Sequence, residues 1–341
     1  MTAEHPPAPV DDWQATTVAV TGVGAIIGQG IVRSLRASGR DIRIVGVDRN
    51  PNSPGTHLCD AFEPKPVADE GSDEYAAFWQ HLVRRHRIQL VMPGLDVDME
   101  FLDGHRDEFR AAGCELALNT RELISQTRDK WEFGRLLHSA GLPSIPSARP
   151  ATWDEALDAL GPAPLLLKPL RGNGSRGIVR LHDAFDFGYW SRRTQGPWML
   201  QRIVGSDDQE FTVGVFGLGG GSRLGPLIMR RRLSSAGNTL QAEVVAHHAL
   251  LERAVAQACD RFQPLGPTNL QFRVEGDTPY LLEINPRFSS SNSLRTAFGF
   301  NESAMAVDLY LHGRVPARPA VRPGIGWRYA EDFVIHAGDP V

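Results

Sequence analysis

The sequence predicts an α/β domain followed by α+β subdomains. Three observations lead there. Near the N-terminus, short apolar runs alternate with helical runs, the order of a parallel sheet covered by helices. A glycine turn joins the first strand to the first helix. Later apolar runs come in neighbouring pairs interrupted by helices, as antiparallel strands do.

In chain order, residues 1–15 are proline-rich and read as a flexible tail. Strands at 17–21 and 42–47 flank a helix at 28–38, a βαβ unit. A helix over 73–87 and a buried strand at 90–92 follow. Residues 93–98 form a loop at that strand's C-terminal end, where open α/β sheets bind ligands. Residues 114–118 close a first domain set at 16–119. The run 120–140 is helical and stops at Gly141, with Pro143 behind it. Thr152 caps a short helix ending at 160. Strands at 165–169 and 178–181 enclose a glycine-rich loop at 171–177. Next come strands at 198–204, 209–216 and 240–246, a helix over 248–262, and paired strands at 268–274 and 279–287. A helix over 302–312 precedes a proline- and glycine-rich stretch, 313–341, with a short strand at 327–329.

The chain has 341 residues, 42% hydrophobic and 22% charged, which fits a globular protein of two or three domains. A net charge of -4 gives no global attraction to nucleic acid or to an anionic membrane. No apolar run is long enough to span a bilayer and no signal-peptide core is seen. Three distant cysteines form neither a metal-ligand spacing nor a disulfide framework, consistent with a cytoplasmic location.

The chemistry concentrates in the paired strands at 268–274 and 279–287. Side chains alternate along a strand, so Glu283 and Asn285 share a face. A tight loop around Asp277 sets Gln271 opposite Glu283. Three oxygen-bearing side chains at one strand end suit Mg²⁺, which keeps waters and takes phosphate oxygens as further ligands. Arg287 adds a fixed fork of donors beside them.

Lys168 ends an apolar strand just before the loop containing Gly172, Asn173, Gly174, Ser175 and Gly177. Glycines let backbone N–H groups approach phosphate oxygens, and the lysine adds a point charge. Glu210 follows the strand ending at Val204 and is placed to accept from ribose hydroxyls. One arginine of the run 230–232, with Arg230 and Arg232 as candidates, is expected to hold a substrate carboxylate, with Asn238 nearby. Asp96 and Asp98 are expected to hold an ammonium group. Gly22, Gly24 and Gly28, with Asp48 twenty residues further on, also suit a dinucleotide turn, although the spacing is one residue long.

This arrangement resembles the ATP-grasp superfamily, most closely the synthetase modules of carbamoyl-phosphate synthase large subunits and related amino-acid ligases. The resemblance covers roughly residues 17–312 and is strongest over 269–291. It implies a Rossmann-like pre-ATP-grasp domain at 16–119. It further implies a small ATP-grasp subdomain with a glycine lid at 120–200, a large subdomain with the metal site at 201–312, and an extension at 313–341. The implied cofactors are ATP and Mg²⁺, one ion or two, with Mn²⁺ able to substitute. Gln271, Glu283 and Asn285 are the implied metal ligands. Lys130, Lys168 and the glycine loop would hold phosphates, and Arg287 and Lys168 would act on the transferring phosphoryl group. The segment Gln201, Arg202, Ile203 and Val204 would read the adenine edge by its backbone, and Glu210 would hold the ribose. Where the synthetase modules carry a further arginine this chain has Ser290, which argues against carbamoyl phosphate as product. The expectation is a carboxylate–amine ligase acting through an acylphosphate on amino-acid-like small molecules, with self-association common among such relatives. The competing readings are an NAD-dependent oxidoreductase and a catalytically silent ATP binder.

Overall fold

The computed structural model describes residues 16–172, 177–234 and 237–336; the tail expected at 1–15 lies outside them. Three sheets organise the chain. The first domain runs β1 (Thr16–Thr21), α1 (Ile26–Ala37), β2 (Ile42–Asp48), β3 (Ala61–Pro64), α2 (Asp73–His86), β4 (Leu90–Met92), α3 (Asp96–Gly104), α4 (Arg106–Ala111) and β5 (Glu115–Leu116). Its sheet has the order β3-β2-β1-β4-β5, and every pairing is parallel. The glycine turn after β1 is a packing joint. A Cβ on Gly28 would lie 2.3 Å from the Gly22 carbonyl oxygen. Asp48 closes the turn by accepting from the N–H groups of Gly24 at 2.8 Å and Asn50 at 2.9 Å. Both of its oxygens thus brace the protein's own backbone at the turn.

The expected helix over 120–140 is two helices, α5 (Arg121–Thr127) and α6 (Lys130–Ser139). Asp129 breaks and restarts it, its carboxylate accepting from the N–H groups of Trp131 and Glu132. Lys130 therefore opens a helix. Next come β6 (Ser147–Ala148), α7 (Trp153–Leu160), β7 (Leu165–Pro169), β8 (Val179–Leu181), α8 (Ala184–Arg193) and β9 (Trp198–Arg202). Here the sheet order is β6-β9-β7-β8, antiparallel throughout.

The third unit contains β10 (Glu210–Gly219), β11 (Ser222–Leu233), β12 (Thr239–Val244), α9 (Ala249–Phe262), β13 (Leu265–Glu275), β14 (Thr278–Asn285), α10 (Asn292–Ala297), α11 (Glu302–Ala306) and β15 (Ile325–Trp327). Its sheet order is β14-β13-β10-β11-β12-β15. Buried side chains of α9 (Leu251, Val255, Phe262) pack against β13 and β14 to form its core. In sequence β11 is hidden, since it contains Gly225-Pro226 and carries three arginines just before its last residue, so no apolar alternation marks it. Helix α10 leans on α1 of the first domain, with Ser34 and Thr296 hydroxyls 2.8 Å apart. The strand expected at 327–329 lies two residues earlier, as β15, and pairs with β12.

Candidate active site

A cleft of about 530 Å³ opens between the four- and six-stranded sheets, with the start of α1 at one side. It is lined by Lys130, Lys168, Gly172, Gln201, Arg202, Ile203, Val204, Glu210, Asn238, Gln271, Glu283, Asn285 and Arg287, so most of the expected site residues meet in one place. Asn173, Gly174 and Ser175 of the expected lid lie outside the described residues; Gly172 and Gly177 frame that stretch with φ of 109° and 72°.

The two lysines come from different elements. Lys130 is aimed by the new turn of α6, its backbone N–H donating to Leu170 and its Nζ to the Gly172 carbonyl at 2.5 Å. Burial lowers its pKa, against the pull of Glu283, Asp129 and Asp96. Lys168 ends β7 and donates to Gln201 Oε1 at 2.6 Å, while Gln201 donates to Ser147 at 3.0 Å. The Gln201 side chain thus positions a lysine. Ile203 and Val204, just past β9, leave the ladder and line the cleft with backbone outside the sheet. Burial pushes Lys168 down to about 8, opposed chiefly by Glu283. Below pH 8 the folded chain carries a buried charge at some cost to stability, and that cost is relieved between the folded pKa and the ordinary lysine value. Affinity for a polyanion runs the other way. The KM for MgATP is expected to rise as pH passes through about 8, and Lys168→Arg to flatten that rise, read from initial rates across pH.

Gln271 faces Glu283, and Asn269 faces Asn285, in the β13–β14 register. Asn285 donates to Glu283 at 2.9 Å. Arg287 grips Asp96 with two parallel bonds, 2.6 and 2.9 Å, and so ties the end of β14 to the first turn of α3 in the other domain. Among the described residues no group of three or more His, Cys, Asp or Glu is placed to hold a metal ion. The donor set is one carboxylate and one amide oxygen, Glu283 and Asn285, which fits a hard divalent cation that keeps waters and phosphate oxygens as its other ligands. The Gln271 oxygen accepts from Arg231 at 2.6 Å, as the Asn285 oxygen accepts from Arg287 at 3.4 Å, and each keeps a second lone pair.

Glu210 is buried at 5% exposure between two arginines. Its Oε1 accepts from Arg231 at 3.0 and 2.7 Å, and its Oε2 from Arg273 at 2.9 and 2.7 Å. Any ribose contact would be an addition to that network. The substrate expectation for Arg230 and Arg232 is corrected by strand alternation. Arg230 is exposed and paired with Glu243, and Arg232 with Asp208, whereas Arg231 between them is buried and lines the cleft. Asp98 is also corrected. It is fully buried within the first domain, where it accepts from Lys65 at 2.5 Å and Tyr75 at 2.7 Å, so it faces no cleft. Asp96 reaches the site but through Arg287.

The sequence left open which arginine of the run 230–232 faces inward and gave no role to Ile26 or Ile27; Arg231, Ile26 and Ile27 line the cleft, as do Ser289 and Ser290 of the 269–291 motif. It also gave no role to Arg328, which donates to the carbonyls of Thr239 at 3.0 Å and Ser290 at 2.5 Å, joining two loops at the cleft's edge. Reading 222–233 as a strand beside Glu210 would have singled out Arg231 by phase. No local signal marks the others.

Residues 196–333 match the family model described as ATP-grasp in the biosynthetic pathway with Ter operon, and residues 18–117 match the PylC-like N-terminal domain. The chain thus carries an ATP-grasp domain behind a PylC-like N-terminal domain, the build of ATP-grasp enzymes. The match to 333 takes in β15 and Arg328, within the stretch expected as an extension. The carbamoyl phosphate synthase large chain of Methanospirillum hungatei is 24% identical over 305 residues, covering 80% of this chain and 28% of that protein. The Streptomyces griseus large chain is 28% identical over 244 residues, 67% of this chain and 21% of its own. The chain therefore spans only about a quarter of these relatives' length. Among solved structures, N5-carboxyaminoimidazole synthetase from Staphylococcus aureus complexed with ADP superposes with a TM-score of 0.73 at 16% identity, covering 92% of this chain and 82% of that one. The L-amino acid ligase from Bacillus licheniformis gives 0.65 at 16%, covering 90% and 77%. These last two likenesses concern the fold. No helix among the described residues is long and apolar enough to cross a membrane.

Proposed function

We propose that this chain is an ATP-dependent carboxylate–amine ligase that activates a small acid as its acylphosphate and releases ADP and phosphate. The observation that supports it best is the meeting of Lys130, Lys168, Glu283, Asn285 and Arg287 in one cleft of an ATP-grasp domain. The substrate carboxylate oxygen attacks the γ-phosphorus, the bond to the β-phosphate oxygen breaks, and ADP leaves. The amine nitrogen then attacks the acyl carbon, loses a proton, and phosphate departs as the amide forms. Such a phosphoryl transfer needs positioning and charge neutralisation more than covalent help. Lys130 and Lys168 supply cations to the phosphate oxygens, and Arg287, held rigid by Asp96, presents its donors at the end of β14. Glu283 and Asn285 would hold Mg²⁺, which supplies further neutralisation of phosphate charge.

The test is an ADP-release assay with defined acid and amine mixtures. ADP and phosphate should appear in proportion to amide, and only with both reactants present. AMP and pyrophosphate would point to adenylation and end this reading. Self-association, common in such enzymes, belongs to the same proposal and is checked by light scattering.

A further inference from the structure

We infer that the acid bound at this site is doubly anionic, which rests on the ligase reading above. Besides the carboxylate that reacts, it carries a second oxyanion group, carboxylate or phosphate, and Arg328 together with Arg33 receives that group. The two arginines come from distant segments. Arg33 belongs to α1, and Arg328 directly follows β15. Helix α10 starts immediately after Ser289, Ser290 and Ser291 and lies along α1, where a Cβ on Gly30 would sit 3.7 Å from the Ser293 nitrogen. Ile26, Gly30 and Arg33 share one face of α1 by helical spacing. Ile26 enters the cleft at one end of that stripe, and Arg33 stands at the other. Arg328 meets the same serine loop, donating to the Ser290 carbonyl at 2.5 Å and to the Thr239 carbonyl at 3.0 Å. Ser290 lines the cleft, so this guanidinium sits at the cleft's rim.

Among the described residues neither arginine has a carboxylate partner, and the charge that acts on Arg328 is that of Arg33, a second cation. Burial lowers the pKa of Arg328, and the Arg33 charge lowers it further. A half-buried guanidinium beside a like charge is unfavourable until an anion comes between them. Donors are free for that anion. A guanidinium has five N–H groups, and Arg328 spends two on carbonyls. The first turn of α1, with no side chain capping it, adds positive potential on the same side. Most arginines of the cleft are already neutralised, Arg287 by Asp96, Arg231 and Arg273 by Glu210, and Arg202 by Glu275. Lys130, Lys168 and Arg180 form no ion pair either, but they belong to α6, β7 and β8, on the side where a triphosphate would lie. The spacing also sets a length. Ser290 is three residues past Arg287, and three residues span at most about 11 Å. A reacting carboxylate beside Arg287 and a second anion at Arg328 are thus bridged by a short acid, with a few carbons between its anionic groups.

The experiment uses the full chain with MgATP, traps acylphosphate with hydroxylamine and counts ADP, so the acid is read without its amine. Each diacid is set against its half-amide: glutarate against glutaramate, glutamate against glutamine, aspartate against asparagine. O-phosphoserine against serine is the phosphate arm. The best anionic acid should exceed its neutral partner in kcat/KM by about tenfold or more, the scale of hydrogen bonds to a charged group. The arm that leads tells carboxylate from phosphate. Arg328→Met should shrink that ratio by a similar factor, through KM more than kcat, while the thermal shift with MgATP is kept. Arg33→Glu should shrink it as well. Arg33 is exposed and ties no loop, so its variant separates charge from the loop-joining contacts of Arg328. Equal or better turnover of the neutral partners overturns the inference. So does a ratio that survives Arg328→Met or Arg33→Glu, since diacid and half-amide falling together would mark a merely structural arginine. Silence of the whole panel while MgATP still stabilises the protein overturns it too. Absence of any MgATP stabilisation is a separate readout, and it brings down the ligase reading itself.

Discussion

Glu283→Ala is expected to leave the chain folded and to lower ADP-forming turnover by about 10²–10³-fold. The side chain is partly buried, and among the described residues its one hydrogen-bond partner is Asn285, so removing it opens no hole in an apolar core. Its loss acts in two ways. It deletes the only carboxylate of the candidate cation site. It also removes the negative charge that most opposes the desolvation of both Lys130 and Lys168. The rise of KM with pH, set near 8 by Lys168 in the native chain, should therefore begin at lower pH in the variant. Glu283→Gln keeps the shape and should lose nearly as much. Steady-state rates across pH, with a thermal melt as control, separate these effects. A Glu283→Ala protein turning over at the native rate would place the chemistry elsewhere.

That site was legible in sequence because its geometry is local. Glu283 and Asn285 sit two apart on one strand, and Gln271 faces Glu283 across a tight hairpin, so period and register alone bring them together. Lys168 and Glu210 were legible for the same reason, each at the end of an apolar strand. The glycine spacing at Gly22 to Gly28 also suggested a dinucleotide turn, and the packing role shows only in the close approach of Gly28 to the Gly22 carbonyl. What the sequence hides is contact between distant segments. Asp96 and Arg287 are 191 positions apart, and nothing local says that the start of α3 meets the end of β14. Arg231 is hidden differently. Three arginines in a row show no alternation by type, so the buried member appears only when the strand and its neighbour are known. Asp98 looks like a loop carboxylate until α3 begins at Asp96 and turns it into the first domain's core.

Arg295→Met, in α10 against the large sheet, is expected to destabilise the chain by about 3–5 kcal/mol, the cost of breaking a buried ion pair from one side. Arg295 and Glu302 are both fully buried, with Nη1 of Arg295 at 3.0 and 3.1 Å from the two carboxylate oxygens. The other arm of Arg295 donates to Thr212 of β10 at 3.1 Å and to Asn269 of β13. One side chain thus bolts α10 and α11 to the sheet, and through α10 it holds α1 beside the cleft. The sheet is shaped for it, since a Cβ on Gly214 would come within 2.8 Å of the guanidinium. Burial already raises the pKa of Glu302, and Arg295 is what opposes that rise. Without the arginine, Glu302 would fold only by taking up a proton. A carboxyl with a raised folded pKa is least costly below its unfolded value and becomes costlier as pH rises through the folded one. The deficit of Arg295→Met should therefore be largest at neutral pH and shrink on acidification, as measured by denaturant melts at several pH values. Adding Glu302→Leu should recover much of the loss at pH 7, because an apolar pair leaves nothing unpaired. If the single variant matched native stability at pH 7, the pair would be no bolt, and the placement of α1 beside the cleft would need another cause.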